Sequence, residues 1–97
     1  MKDVTLYDRL VEVARRSIRD RNFAAAVPCI EEAIDVDDRR PEAFNLRGVV
    51  EQIRGERAEA CKHWRVALVL DPRYDPAREN LHLATHWPRP PGGLALG

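Results

Sequence analysis

Apolar residues recur three and four positions apart along most of the chain. The first two stretches with this pattern contain Leu6, Leu10, Val13, Ala14 and Ile18, and then Ala26, Val27, Ile30, Ala33 and Ile34. Such spacing places one apolar face along a helix, so it predicts amphipathic helices. With the turn residues that separate these stretches, the pattern predicts five helices, near 5–20, 23–37, 41–54, 57–71 and 76–87.

Turn and capping residues mark the predicted helix ends. Asn22 can cap the second helix, and Gly55 tolerates the positive φ of the turn before the fourth. Pro41 and Pro76 fall at the first position of a helix, where a missing N–H costs little. Pro28 lies inside the second helix, where it removes one backbone hydrogen bond and favours a kink.

The sequence also matches itself when it is displaced by 34 residues, which brings Ala26 onto Ala60. The same displacement superposes Ala33 on Ala67, Ile34 on Leu68 and Ile30 on Trp64. A repeated pair of amphipathic helices predicts a stacked array, because each hairpin must cover its apolar face with the next one.

The second period, PEAFNLRGVVEQIRGERAEACKHWRVALVLDP, resembles a tetratricopeptide repeat over its whole length. The positions that carry the resemblance have the spacing of that family: Phe44, Gly48, Gly55, Ala60, Trp64, Ala67 and Pro72. The first period is degenerate, because Arg21 replaces the glycine and Asp38 replaces the proline. The resemblance covers about residues 5–87 and implies an all-α fold, in which antiparallel helical hairpins stack as a short right-handed superhelix of five helices.

The resemblance divides the chain into one domain and a tail. Residues 1–87 would form a single domain, with repeat 1 at about 7–40, repeat 2 at 41–74 and a capping helix at 75–87. Arg78 and His82 stand in that last helix where the second repeat carries Phe44 and Gly48, so we expect a polar face that ends the array. Residues 88–97 would be a Pro/Gly-rich tail.

In this family the first helix of each hairpin lines a concave groove that binds a peptide. Carried over position by position, the resemblance implies these groove residues: Val11, Arg15, Ile18, Arg19, Asn45, Val49, Gln52, Ile53, Leu83, His86 and Trp87. An apolar stripe bordered by polar groups is typical of a contact surface, so we expect a peptide or helix of a partner protein there. The alternative is that the aliphatic members only thicken the core.

The family resemblance does not extend to the carboxylate clamp of heat-shock co-chaperones. Val11, Leu46 and Val49 occupy or adjoin the positions where that subfamily has polar groups. We therefore expect an adaptor or scaffold with an unidentified partner, as a monomer or weak homo-oligomer. The alternatives are a self-associating scaffold and an accessory subunit of an enzyme complex.

Composition and charge narrow the function further. The chain has 97 residues, 44% hydrophobic and 33% charged, which suits one domain with a modest core. Its 16 Lys and Arg balance 16 Asp and Glu, so no net charge attracts nucleic acid. The opening lacks the apolar run of a signal peptide, and no later run is long enough to span a bilayer. We expect a cytoplasmic protein without nucleic-acid binding or membrane insertion.

Sequence motifs for catalysis and metal binding are missing. No phosphate loop, GxSxG, HExxH or paired-cysteine motif occurs, so we expect no catalytic residue, no metal and no cofactor. The sharpest alternative is a metal site of His82 and His86, with Cys61 and His63 on the preceding helix. Cys61 and His63 are two positions apart and point in different directions, which argues against it. Cys29 and Cys61 are expected to be small structural hydrophobes.

The tail leaves the helical pattern at Pro88 and leaves two interpretations open. A Pro- and Gly-rich end is typical of disorder. Alternatively, Leu94 and Leu96, which have the spacing of an extended strand, occupy the groove of the same or a neighbouring molecule and compete with the partner.

Overall fold

The computed structural model describes residues 5–86 and 93–97, and within these ranges it contains five α-helices and no strand. The helices are α1 (Leu6–Arg19), α2 (Phe23–Val36), α3 (Pro41–Ile53), α4 (Arg57–Leu70) and α5 (Asp75–His86). Each begins and ends within about one residue of its predicted range, and the all-α fold is confirmed. None of the described helices is both long and apolar enough to cross a membrane.

Local side chains set the helix ends. Thr5 accepts a hydrogen bond from the Asp8 backbone N–H, and the Asp8 carboxylate accepts one in return from the Thr5 backbone, which forms a capping box. Hydrogen bonds from Thr5 and Arg40 lower the pKa of Asp8 to about 2. Asn22 caps α2 by accepting from the Ala25 N–H at 3.2 Å. α2 continues through Pro28 to Val36 as one helix.

Both hairpin turns use a residue with positive φ. Gly55 has φ 85° between α3 and α4, and Arg21 has φ 57° at the matching place between α1 and α2. A left-handed conformation costs a side-chain-bearing residue about 1–2 kcal/mol, so the degenerate first repeat keeps the turn geometry at the expense of some stability. The same turn geometry thus occurs in both hairpins, once with glycine and once with arginine.

The helices form two layers. α1 packs chiefly on α2 and α3 chiefly on α4, while α5 packs on α4. α2 also packs on α3, α1 contacts α3 and α3 contacts α5, whereas the backbones of α2 and α4 stay apart within the described residues. The array therefore curves, with α1, α3 and α5 on the inner side.

Tyr7 joins the two hairpins at one end of the inner layer. Its hydroxyl accepts from the Ala43 N–H at 3.0 Å and lies 3.3 Å from the Arg40 carbonyl oxygen, to which it donates. The Arg40 guanidinium lies 4.3 Å from the centre of the Tyr7 ring, a favourable cation–π contact. Burial raises the pKa of Tyr7 to about 12. Tyr7 thus occupies the first turn of α1 and caps the first turn of α3.

Trp64 fills the space that Gly48 leaves between α4 and α3. The Trp64 side chain is fully buried, and its Nε1 donates to the Asn45 carbonyl oxygen at 3.1 Å. A Cβ at Gly48 would lie 2.7 Å from Cδ1 of the Trp64 ring, far inside contact distance. Glycine inside a helix lowers stability by about 0.5–1 kcal/mol relative to alanine. Here the missing side chain lets the Trp64 ring approach α3 closely.

We expect Gly48→Leu to lower the free energy of unfolding by about 1–3 kcal/mol or more, because the added side chain must displace Trp64 and separate α3 from α4. Urea unfolding followed by circular dichroism measures the change. Gly93→Leu is the matched control, since no atom of the described residues other than its chain neighbours lies within 4 Å of a Cβ at Gly93. If the two variants unfold at the same urea concentration, the packing register of α3 on α4 is wrong.

Candidate functional site

The described residues that the family resemblance assigns to a peptide groove lie on α1, α3 and α5. Those within the described ranges differ in exposure. Val11, Ile18, Asn45 and Val49 are buried, Arg15, Gln52 and Leu83 are partly buried, and Arg19, Ile53 and His86 are exposed. Trp87 lies outside the residues that the structure describes. The buried aliphatic members, Val11, Ile18 and Val49, belong to the hydrophobic core, and the partly buried and exposed members reach the surface.

Residues 93–97, which we call the 93–97 segment, lie across this inner face without helical or strand structure. Ala95 forms hydrogen bonds with side chains of α3 and α5, and the Leu96 carbonyl oxygen accepts a hydrogen bond from Nε of Arg15 on α1 at 3.1 Å. The segment therefore contacts all three inner helices. Residues 93–97 thus dock on helices of their own chain, as one of the two interpretations of the tail expects, while residues 88–92 lie outside the described part of the chain.

Asn45 and Asn80 form the centre of the site, and both side chains are fully buried. Nδ2 of Asn80 donates to Oδ1 of Asn45 at 2.9 Å and to the Ala95 carbonyl oxygen at 2.8 Å. Nδ2 of Asn45 donates to the same carbonyl oxygen at 3.0 Å, and the Ala95 N–H donates to Oδ1 of Asn80 at 2.7 Å. The two amides thus hold both polar groups of one backbone residue.

The protein core positions this pair. Asn45 lies on the inner stripe of α3, and the Trp64 indole that donates to its carbonyl oxygen ties this turn of α3 to α4. Asn80 projects from α5 between the fully buried Ala77 and Ala84, whose small side chains let α5 approach the array closely. The amide pair is therefore held by two packed helices rather than by a loop.

Apolar contacts accompany the hydrogen bonds of the 93–97 segment. Leu94 and Leu96 are half-buried and pack against the hydrophobic core. Gly97 lies beside the Tyr74 hydroxyl and the Arg15 guanidinium. Burial raises the pKa of Tyr74, the Glu42 charge raises it further, and Arg15 opposes both. Tyr74 is therefore a neutral phenol at physiological pH.

The C-terminal ends of α3 and α5 offer a different surface. Oε1 of Gln52 is buried and has no hydrogen-bond partner among the residues that the structure describes. Ile53 beside it is 43% exposed. Nδ1 of His86 lies 3.0 Å from the His82 carbonyl oxygen of its own helix. These helix ends provide one buried acceptor and the exposed apolar surface of Ile53.

The residues of the metal alternative do not form a ligand set. Across residues 5–86 and 93–97, no group of three or more His, Cys, Asp or Glu side chains is placed to hold a metal ion. The His82 and His86 rings stack with centres 4.0 Å apart on the exposed side of α5. Cys29 is half-buried, Cys61 is buried, and both are free thiols.

Comparisons of the chain with protein-family models, with curated proteins and with solved structures give no match. The contacts of the 93–97 segment bring Arg15 and Asn45 of the predicted groove together with Asn80 and Tyr74, which the sequence reasoning missed. Asn80 stands where the preceding repeat has the buried Leu46, and a polar residue at a core position was the signal that could have found it.

We expect Asn80→Leu to release the 93–97 segment while the helices remain folded, because leucine has a similar volume but cannot bond to Ala95. Hydrogen exchange at the Ala95 amide should then become as fast as at an unstructured amide. Glu79→Leu is the matched control, since Glu79 is exposed on the same helix. Continued protection of the Ala95 amide in Asn80→Leu would show that the asparagine pair does not hold the segment.

Proposed function

We propose that this protein is a tetratricopeptide-type interaction module, an adaptor that binds a non-helical segment of a partner protein in the groove of α1, α3 and α5. In this proposal the protein has no catalytic chemistry of its own. The observation that carries the proposal is the binding of one backbone residue, Ala95, by the buried amides of Asn45 and Asn80.

The chemistry of this contact favours a peptide as ligand. An asparagine amide has one donor group and one acceptor, so it pairs with a peptide group as another backbone would. The bonds to Ala95 involve only its N–H and carbonyl oxygen, and any residue except proline offers both. Recognition at this position would then be independent of the side chain, while neighbouring apolar side chains add affinity by burial.

The 93–97 segment would act as an internal competitor for the partner. A tethered segment faces its groove at an effective concentration in the millimolar range, so an external peptide must displace it to bind. The apparent affinity of the full chain is then lower than that of the open groove. The Gln52 and Ile53 end gives a longer partner additional surface that the bonded residues 95 and 96 do not use.

A second candidate, self-association, is favoured by the same contact. The bonds that Ala95 and Leu96 make within one chain could form equally well between two copies, since exchange of an identical segment creates no new interface. Mass measured by light scattering over a range of concentrations separates the two candidates. A dimer that disappears in Ala95→Pro would favour exchange between copies.

The full-length Ala95→Pro variant tests the peptide-binding proposal, because proline cannot donate to Asn80 and so vacates the groove without truncation. Linear peptides selected from a random display library on this variant should bind it about tenfold or more tightly than the wild type, in which the segment competes. Fluorescence anisotropy measures both affinities.

Two further variants control this experiment. Gly93→Pro carries the same substitution at an exposed residue and should leave binding at the wild-type level. Asn80→Leu combined with Ala95→Pro should abolish binding of the selected peptides. If selection yields only peptides that bind all variants equally, the groove is not a peptide site and the proposal fails.

A further inference from the structure

Gly97 is the one residue of the 93–97 segment that occupies a place closed to side chains. Its φ is +96°, a conformation that L-residues other than glycine rarely adopt. A Cβ built on Gly97 would collide with the Tyr74 hydroxyl and would lie 3.1 Å from Nη2 of Arg15. Conformation and space therefore both require glycine at this position.

The two neighbours of Gly97 are held in place and cannot easily make room. The Tyr74 ring is half-buried and packs against the hydrophobic core. The Arg15 guanidinium donates through Nε to the Leu96 carbonyl oxygen and through Nη1 to the Glu12 carboxylate, at 3.1 and 3.4 Å. Moving Arg15 away from a larger residue would break the bond that holds Leu96.

The preceding positions have different requirements. Leu94 and Leu96 contribute half-buried aliphatic side chains, and Ala95 between them is bound only through its backbone N–H and carbonyl oxygen. The segment therefore presents an aliphatic residue, a residue that has a backbone N–H to donate, a second aliphatic residue and a glycine, in that order.

We propose that the groove selects partner segments of this chemistry, aliphatic, any residue except proline, aliphatic, glycine, with Tyr74 and Arg15 as the residues that determine the choice of glycine. This inference rests on the proposed function and adds to it the class of ligand. A segment with a larger residue at the glycine position must either adopt a strained backbone or displace the Tyr74 ring.

Synthetic peptides test the proposal on the full-length Ala95→Pro chain, whose own segment no longer competes. The probe is the peptide Gly-Gly-Leu-Ala-Leu-Gly, acetylated at its N-terminus and amidated at its C-terminus so that terminal charges do not contribute. Two comparison peptides carry L-alanine and D-alanine, respectively, in place of the last glycine. Isothermal titration calorimetry measures the three affinities.

We expect the L-alanine peptide to bind about tenfold or more weakly than the glycine peptide, because it has both the backbone strain and the collision. The D-alanine peptide should bind within about threefold of the glycine peptide, because positive φ is its preferred region and its methyl group takes the other hydrogen position. This pair separates a requirement for glycine geometry from a general preference for a small peptide.

Tyr74→Phe in the same Ala95→Pro chain tests the role of the hydroxyl. Phenylalanine keeps the ring in the core and removes the oxygen that a Cβ at the glycine position would meet. The difference in affinity between the glycine and L-alanine peptides should become smaller but not disappear, because the backbone strain of L-alanine remains. An unchanged difference would remove Tyr74 from the selection.

The outcomes distinguish this inference from the proposed function. Equal binding of the glycine and L-alanine peptides would overturn glycine selection and leave peptide binding intact. Glycine selection would also be overturned, with peptide binding intact, if none of the three synthetic peptides binds while library-selected peptides do. If neither these nor any selected peptide binds the folded Ala95→Pro chain, the proposed function fails together with the inference.

Discussion

The structure of the groove depends on the burial of two side-chain amides, Asn45 and Asn80. A buried amide without a partner costs about 1–3 kcal/mol, so both must find hydrogen bonds where they stand. Their side chains form one hydrogen bond with each other and three with the backbone of Ala95. The 93–97 segment therefore completes the inner face by supplying one N–H and one carbonyl oxygen to the pair.

The packing of the array explains why this pair can exist. Gly48 lets the Trp64 ring lie against α3, and the indole N–H fixes the turn that carries Asn45. The small side chains of Ala77 and Ala84 let α5 lie close to the array, and Nδ2 of Asn80 then lies 2.9 Å from Oδ1 of Asn45. Small residues at helix contacts thus set the position of polar residues on the inner surface, because helix separation depends on the side chains between them.

The sequence was sufficient to predict the helices but only part of the site. Spacing of apolar residues and the turn at Gly55 determine where helices begin and end, and the resemblance to the repeat family implied that Arg15 and Asn45 lie on the inner face. Asn80 escaped because its position in the repeat is a core position, occupied by Leu46 one period earlier. Tyr74 escaped because it lies between helices, where no periodicity applies. Docking of residues 93–97 remained one of two alternatives, since its hydrogen bonds join residues far apart in sequence and no local pattern encodes them.

The most direct test of the central claim is a nuclear Overhauser measurement on the isotopically labelled full-length chain. If the asparagine pair holds the segment, the side-chain amide protons of Asn45 and Asn80 should show cross-peaks to Ala95, with slow solvent exchange and dispersed shifts. Random-coil shifts for Leu94, Ala95 and Leu96, with no cross-peak from either asparagine, would contradict the account.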